Sequence, residues 1–461
     1  MEVRLIISAS KNIIFSFLIK GMDISEIKVE KRDGPRIAGS ICKGKVRRLA
    51  PSLDGAFVDI GLEREAYLPL KDMPGYEGAE PPQIGSSVLV QVRREPIEEK
   101  GAKVSGRISI PGKFLIYLPN SEGVFVSSKI DSERERARFQ SIFENTLEGD
   151  GVIVRTSAVG VSEELLLNEL DYLRHRWKEI RKKSDRVDQG IIYEELPQYF
   201  QTVRDNWQDI KEIVVDDREV WTEIVSHIEN GYRELVDRIR YVKNISVFFK
   251  KYDLDRALTK LFTRYVWLKS GGYIVIEETE AMTVIDVNSG SGCGESLEEN
   301  ALSTNLEAAE EIARQIRLRD IGGIIIIDFI DMKDKKSRDT LITRFRELFA
   351  DEGTKVHIYG ITQLGLLEMT RKKETPSVTR LLSTDCPYCK GRGYIKSPEV
   401  VLYEIEKEIG YFKGRYLELR VNPSLKEKVE KLLEKKNMKT WVSIREECDV
   451  PLDYYEMFLS R

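Results

Sequence analysis

Cysteine is scarce: five residues in a chain of 461, too sparse and odd a set for the disulfide framework of a small secreted domain. The expected compartment is a reducing one, the cytoplasm. Histidine is scarcer still. With only His175, His227 and His357, little is left for histidine-pair acid–base chemistry or histidine-rich metal centres, so carboxylates are the better catalytic candidates. Long apolar runs are missing as well. The most apolar N-terminal stretch, Asn12 to Ile19, stops at Lys20 without a small-residue cleavage site, and nothing approaches the ~18 consecutive apolar residues of a membrane span. The expected protein is unprocessed and has no membrane partner. Nor does one sign of charge dominate. Lysine plus arginine, 73, nearly balances aspartate plus glutamate, 77, for a net charge of −4. That excludes a uniformly basic nucleic-acid coat and confines any polyanion site to a local patch.

What is present is a charged but ordinary globular composition, 41% apolar and 33% charged with 15 prolines, long enough at ~100–200 residues per domain for several structural units. From Gly34 to about Arg107 short β runs punctuated by glycine (GSICKGKVRRL, GAFVDIG, EAYLPL, SSVLVQVRR) read as a small barrel. Their order resembles an S1 domain, an OB-type RNA-binding barrel. GSICKGK also meets most of the phosphate-loop pattern, but Val46 stands at the Ser/Thr position and no helix pattern follows, so a P-loop is rejected. Residues 111–199 run from β segments (GKFLIYLP, GVIVRTSAVG) into a charged helix from Ser162 to Ser184. Phe200 to Lys269 reads as mostly helical, and Ser270-Gly271-Gly272 breaks the chain before new strands. Residues 394–461 read as a small charged unit with one helix, Pro423 to Asn437.

Tyr273 to Ile276 and Met282 to Val287 read as a hairpin. A helix is expected to start near Thr304, with Glu307 completing a capping box, and to end at Gly322 before the buried strand IIIIDFIDM. Met282 to Met332 is then a β–α–β crossover with parallel strands, which brings Asp286 and Asp328 to the same C-terminal sheet edge, where ligands of such sheets gather. Alternation puts Asp286 and Asn288 on one face, with Ile285 and Val287 on the other. If the second strand keeps its alternation, Asp328 and Asp331 face opposite ways, and Asp328 is the one expected to join Asp286. Hard oxygen ligands without a nearby thiolate or imidazole suit Mg²⁺ or Mn²⁺. The plainer alternative is that these aspartates only terminate strands. Cys386-Pro-Tyr-Cys389 also has more than one reading. A redox pair would place the first thiolate at a helix N-terminus, but Lys390-Gly391-Arg392-Gly393 follows, which suits a tight metal knuckle. An exposed turn with idle cysteines is the third reading.

Four motifs in order, TVIDVNSG, STNLEAAEEIARQIRLRDIGGIIIIDFIDM, QLGLLEMTRKK and CPYCKGRG, closely resemble the catalytic region of the ribonuclease E/G family of bacterial endoribonucleases. The resemblance implies a multidomain α/β architecture. Its expected parts are a ribonuclease-H-like piece split between residues 1–35 and 200–269, an S1 barrel at 36–110 and a 5′-end sensor at 111–199. A deoxyribonuclease-I-like catalytic domain follows at 270–385, then a zinc knuckle at 386–393 and a small domain at 394–461. Asp286 and Asp328 match the family's two magnesium-binding aspartates, and Asn288 the asparagine beside them. Phe57, Tyr67 and Lys100 match positions that hold the RNA strand, with tyrosine at 67 where phenylalanine is commoner. Gly112, Arg155 and Thr156 match the 5′-phosphate sensor. Its further arginine is Lys355 here, which keeps the charge but loses the planar fork. The loop SGSGCGES departs from the more basic loop of the best-known members, and Cys293 in it has no assigned role.

By the same resemblance, the expected reaction is hydrolysis of single-stranded, A/U-rich RNA by water, leaving a 5′-phosphate and a 3′-hydroxyl, in ribosomal RNA processing or messenger decay. One zinc ion shared by Cys386 and Cys389 of two protomers would make a dimer, and dimers pair into a homotetramer. The long disordered scaffold of ribonuclease E relatives is expected to be absent. Two other functions compete: a non-catalytic S1-type RNA-binding or ribosome-assembly factor, against which the intact Asp286, Asn288 and Asp328 argue, and a thiol oxidoreductase, which rests on CPYC alone.

Overall fold

The computed structural model describes residues 2–32, 37–73, 82–96, 100–229, 232–290, 296–350, 352, 354–373, 375–389, 391–412, 415–437 and 441–459. Cys293 lies outside the described residues. The chain divides into two compact units, residues 1–381 and 382–461. Among the described residues no helix is long and apolar enough to cross a membrane.

The first sheet draws on two distant stretches of chain. Val3–Ala9 is central, antiparallel to Ile13–Lys20, which pairs with Asp23–Lys31; on its other side come Ile210–Val215 and Ile239–Tyr241, both parallel. Leu5, Ile6 and Ile7 are all fully buried, as a strand covered on both faces requires. Residues 200–269 are mostly helical, as expected, but three strands, Ile210–Val215, Ile239–Tyr241 and Tyr265–Trp267, lie among the helices. A segment such as IKEIVV, whose continuous apolar part is only Ile213, Val214 and Val215, all fully buried, has no alternation to separate it from a buried helical turn.

Between those stretches sits a closed barrel of Ile41–Ala50, Gly55–Asp59, Ala66–Pro69, Lys103–Ser105 and Ser87–Arg94, the last pairing back onto the first. Small and branched side chains (Ala56, Val58, Ala66, Val104) fill it. The GSICKGK segment enters the first barrel strand, not a phosphate-binding turn. A further four-stranded sheet, from Ile110–Pro111 to Gly151–Val154, packs against helix Glu163–Arg186 through Leu166, Leu170, Leu173 and Trp177.

The last sheet of this unit has the order Tyr265–Trp267, Tyr273–Glu278, Met282–Asn288, Gly323–Asp328, Leu366–Arg371, Val356–Ile361. The Met282 and Gly323 strands are parallel, joined by helix Leu297–Leu318. That helix starts earlier than expected. Ser296 accepts the Glu299 N–H as its N-cap, so Ser296-x-x-Glu299 is the true start signal; Thr304 lies mid-helix, and the Glu307 carboxylate instead accepts the backbone N–H groups of Lys269 and Ser270. The helix ends at Leu318, ahead of Gly322, with Asp320 in the left-handed region.

In the second unit, Leu417–Val421 lies between parallel Val442–Glu446 and antiparallel Tyr455–Leu459. Two helices pack on this sheet, Pro398–Tyr411 and Pro423–Lys435, where one was expected. The missed helix carries Val401, Ile405 and Ile409 on its buried face, a spacing of four readable in the sequence.

Candidate active site

The parallel pairing of Met282–Asn288 with Gly323–Asp328 sets Asp286 directly opposite Asp328 at the sheet's C-terminal edge. Ile285, Val287, Ile325 and Ile327 point into the core beneath the helices, so strand alternation turns both aspartates to the other face, where both are exposed. Asn288 shares that face and donates from Nδ2 to Asp286 Oδ2 at 2.8 Å. Behind it the turn at Gly271-Gly272 presses on the strand: a Cβ on Gly272 would come within 2.6 Å of the Asn288 carbonyl oxygen. The Asp328 carboxyl is held above its ordinary range, first by partial burial and then by the negative charges of Asp286 and Asp331.

The strand ends at Asp328, so the alternation that would set Asp331 on the opposite face does not extend to it, and the negative charge of Asp331 contributes, after burial and Asp286, to raising Asp328. Two residues that the sequence did not single out hold this edge. Asn305, fully buried on the crossover helix, donates from Nδ2 to the Ile330 carbonyl at 2.8 Å and accepts the Ile330 N–H at 3.0 Å. Glu298 accepts the N–H groups of Lys333 and Asp334, both at 3.0 Å, at the start of helix Lys335–Leu348. An asparagine among the small apolar residues of a buried helical face was the available signal for Asn305. Among the described residues, no group of three or more His, Cys, Asp or Glu side chains gathers in metal-holding geometry.

Phe57 and Tyr67 are paired across neighbouring barrel strands with ring centroids 5.9 Å apart. Their neighbours Ala56, Val58, Ala66 and Leu68 take the interior, so both rings lie outside the barrel core. The Arg48 guanidinium stands 3.6 Å from the Phe57 ring centre. Lys100 is exposed. Among the described residues no hydrogen bond or ring contact joins this group to Asp286, Asn288 or Asp328.

Gly112 and Arg155 do meet: Arg155 donates to the Gly112 carbonyl at 2.9 Å and to Asp205 at 2.5 Å. Thr156 is exposed at the start of the short turn Thr156–Ala158. Burial would raise the Asp205 carboxyl, but Arg204 and Arg155 together hold it below the usual range. Glu169 braces the same corner by accepting the N–H groups of Lys113, Phe114 and Leu115 at 2.6–2.8 Å; on a charged helix it reads simply as a solvated glutamate. Lys355 is exposed just before strand Val356–Ile361, and no hydrogen bond or ion pair joins it to Gly112, Arg155 or Thr156 among the described residues. In the second unit Cys386 is exposed and Cys389 half-buried. The Cys389 thiol is lowered, chiefly by the Gly393 N–H, with help from Gly391 and Cys386. Gly391 and Gly393 both have positive φ, 85° and 77°, a turn and not the helix a redox pair needs.

The sequence pattern of the Ribonuclease E/G family matches residues 109–374. Ribonuclease G of Salmonella typhimurium is 35% identical over 428 residues, covering 89% of this chain and 88% of that protein; Ribonuclease G of Escherichia coli K12 is 34% identical with the same coverage. Ribonuclease E of Haemophilus influenzae is 34% identical over 417 residues, 87% of this chain but 44% of that longer protein. The chain belongs to the ribonuclease E/G family. It is accordingly an endoribonuclease.

Proposed function

We propose that this endoribonuclease hydrolyses single-stranded RNA with a Mg²⁺ or Mn²⁺ ion held by Asp286 and Asp328, leaving a 5′-phosphate and a 3′-hydroxyl. The observation that carries the reading is the register of the two aspartates, opposite one another on adjacent strands. The donor set suits such an ion: two hard carboxylates, with Asp328 raised first by partial burial and then by the charges of Asp286 and Asp331, a penalty that a cation between them would relieve. When bound, a divalent ion supplies Lewis-acid polarisation of the phosphoryl oxygens and lowers the pKa of water from ~15.7 toward ~7. The chain's own part is positional. Asn288 fixes the Asp286 carboxylate through its amide, and Asn305 fixes the backbone that follows Asp328. Water as the nucleophile needs no histidine near the ribose.

The barrel, read as an S1 domain, holds the strand by stacking bases on Phe57 and Tyr67 beside Arg48 and Lys100. The first sheet, with its antiparallel trio followed by two parallel strands, is read as the split ribonuclease-H-like piece. Residues 270–385 are read as the deoxyribonuclease-I-like part. Arg155 and Thr156 beside Gly112 are read as a 5′-monophosphate sensor, in which a terminal phosphate displaces Asp205 from the Arg155 fork. Lys355 supplies charge without a fork, so stimulation by the 5′-monophosphate is modest. Cys386 and Cys389 are read as half of a zinc site completed by a second protomer, and pairs of such dimers as a tetramer. Ribosomal RNA precursors and messenger RNA are the substrates this reading favours. Incubating the protein with 5′-monophosphorylated single-stranded RNA, with Mg²⁺ or with EDTA, tests it. Internal cuts with the stated ends, lost in EDTA, are expected; binding without cutting would support the non-catalytic RNA-binding alternative instead.

A further inference from the structure

Three aromatic side chains lie together on the sheet face that carries the aspartates. Tyr273 pairs in register with Asn288, and Val275 with Asp286; Tyr265 and Trp267 pair in turn with Val275 and Tyr273. Directly paired residues of antiparallel strands share a face, so Tyr265, Trp267 and Tyr273 stand on the face of Asp286 and Asn288. Their alternates Val266, Ile274 and Ile276 pack into the core. The Tyr273 ring sits 5.8 Å from that of Tyr265 and 5.3 Å from that of Trp267, tilted to both. Tyr265 is 55% and Trp267 71% exposed. The core therefore does not need these rings, and a tryptophan left that open on a sheet edge has its π face free.

We propose that Trp267, Tyr273 and Tyr265 form a base-stacking platform for the nucleotides on one side of the scissile phosphate. The proposal rests on the reading of Asp286 and Asp328 as the RNA-cleaving pair. With strands ~4.8 Å apart, Tyr273 is one strand and Trp267 two strands, ~10 Å, from the Asp286 strand, a span that the bases flanking a phosphate at the aspartates cross. Stacking suits a nuclease of broad sequence range because every base offers a π face. The sheet also gives the platform a direction: it extends from the Asp286 side only, since the Gly323 and Leu366 strands lie on the other.

The test compares kcat and KM on a short single-stranded RNA cut at one mapped phosphate with those on the same RNA carrying an abasic ribose at each flanking position in turn. For wild type, removing the base on one side should lower kcat/KM about tenfold, while removal on the other side does little at this platform. Trp267→Ala should lose about tenfold on intact RNA, mostly through KM, and lose nothing further on the sensitive abasic RNA. Trp267→Phe should recover most of the loss, and Tyr273→Leu, which keeps apolar bulk without an aromatic face, should repeat the alanine result with unchanged circular dichroism. Equal losses on intact and abasic RNA, or variants indistinguishable from a wild type that cuts, would overturn the platform alone. A wild type that cuts no RNA would remove the nuclease reading and the platform with it.

Discussion

Replacing Asn305 with leucine isolates the contact that holds the chain beyond Asp328. The side chain is fully buried, and its amide both donates to the Ile330 carbonyl, at 2.8 Å, and accepts the Ile330 N–H, at 3.0 Å. Leucine has the same number and branching of side-chain heavy atoms and is somewhat bulkier, so the substitution removes two hydrogen bonds without opening a cavity. Two backbone groups of Ile330 are then left unpaired, at ~1–3 kcal/mol for each buried group that loses its partner. The expected loss is ~2–4 kcal/mol, read as a lower urea midpoint by tryptophan fluorescence. Because Ile330 follows Asp328 by two residues, the carboxylate also loses its fixed position. Single-turnover cleavage should fall about tenfold or more, ~1.4 kcal/mol for each factor of ten, while RNA binding stays within a few-fold. A variant that loses less than ~0.5 kcal/mol and cuts at the wild-type rate would refute the assignment.

Asp328 predicts an unusual pH response. Its carboxyl is raised in the fold, so the ionised form is penalised above that raised value, and the penalty is relieved as pH falls through it. Metal-free Asp328→Asn should accordingly melt no lower than wild type near neutral pH; a clear drop in Tm would contradict the repulsion. Asp331→Asn removes one of the two like charges acting on Asp328 and should leave most of the cleavage intact, whereas a loss equal to that of Asp328→Asn would make Asp331 an equal partner. Arg155→Ala should slow cutting of 5′-monophosphorylated RNA more than of 5′-hydroxyl RNA, and equal slowing would reduce this arginine to a structural role. Cys386→Ser with Cys389→Ser should lower the mass seen by light scattering while circular dichroism persists, with wild-type zinc near one ion per two chains; one ion per chain would mean an intrachain site.

The aspartate pair was legible because its surroundings are extreme: isoleucine and valine runs on either side of an obvious crossover leave little choice of register. Asn305 was not, because placing the helix start at Thr304 made it a first-turn residue, where asparagine is ordinary, although its spacing of four from Ala309 sets it on the buried face. Strand alternation does not decide the facing of Asp331, which lies past the last strand residue, Asp328. The aromatic group at Tyr265, Trp267 and Tyr273 was hidden for another reason. Tyr265–Trp267 is a three-residue edge strand whose pairing depends on a partner further along the chain, and so short a run carries no period of its own. The joining of residues 3–31 to 210–241 in one sheet is likewise a long-range fact that local pattern does not encode.

The central claim is that Asp286 and Asp328 act as one cleaving pair. It is tested most directly by single-turnover cleavage of one defined single-stranded RNA by wild type, Asp286→Asn and Asp328→Asn in Mg²⁺, with RNA binding measured on the same samples. Each substitution removes one carboxylate from a site that the register builds from two and leaves the barrel untouched. Both variants should bind within a few-fold of wild type and fail to cut. Near-wild-type cutting by either one, or cutting by wild type that persists in EDTA, would contradict the account.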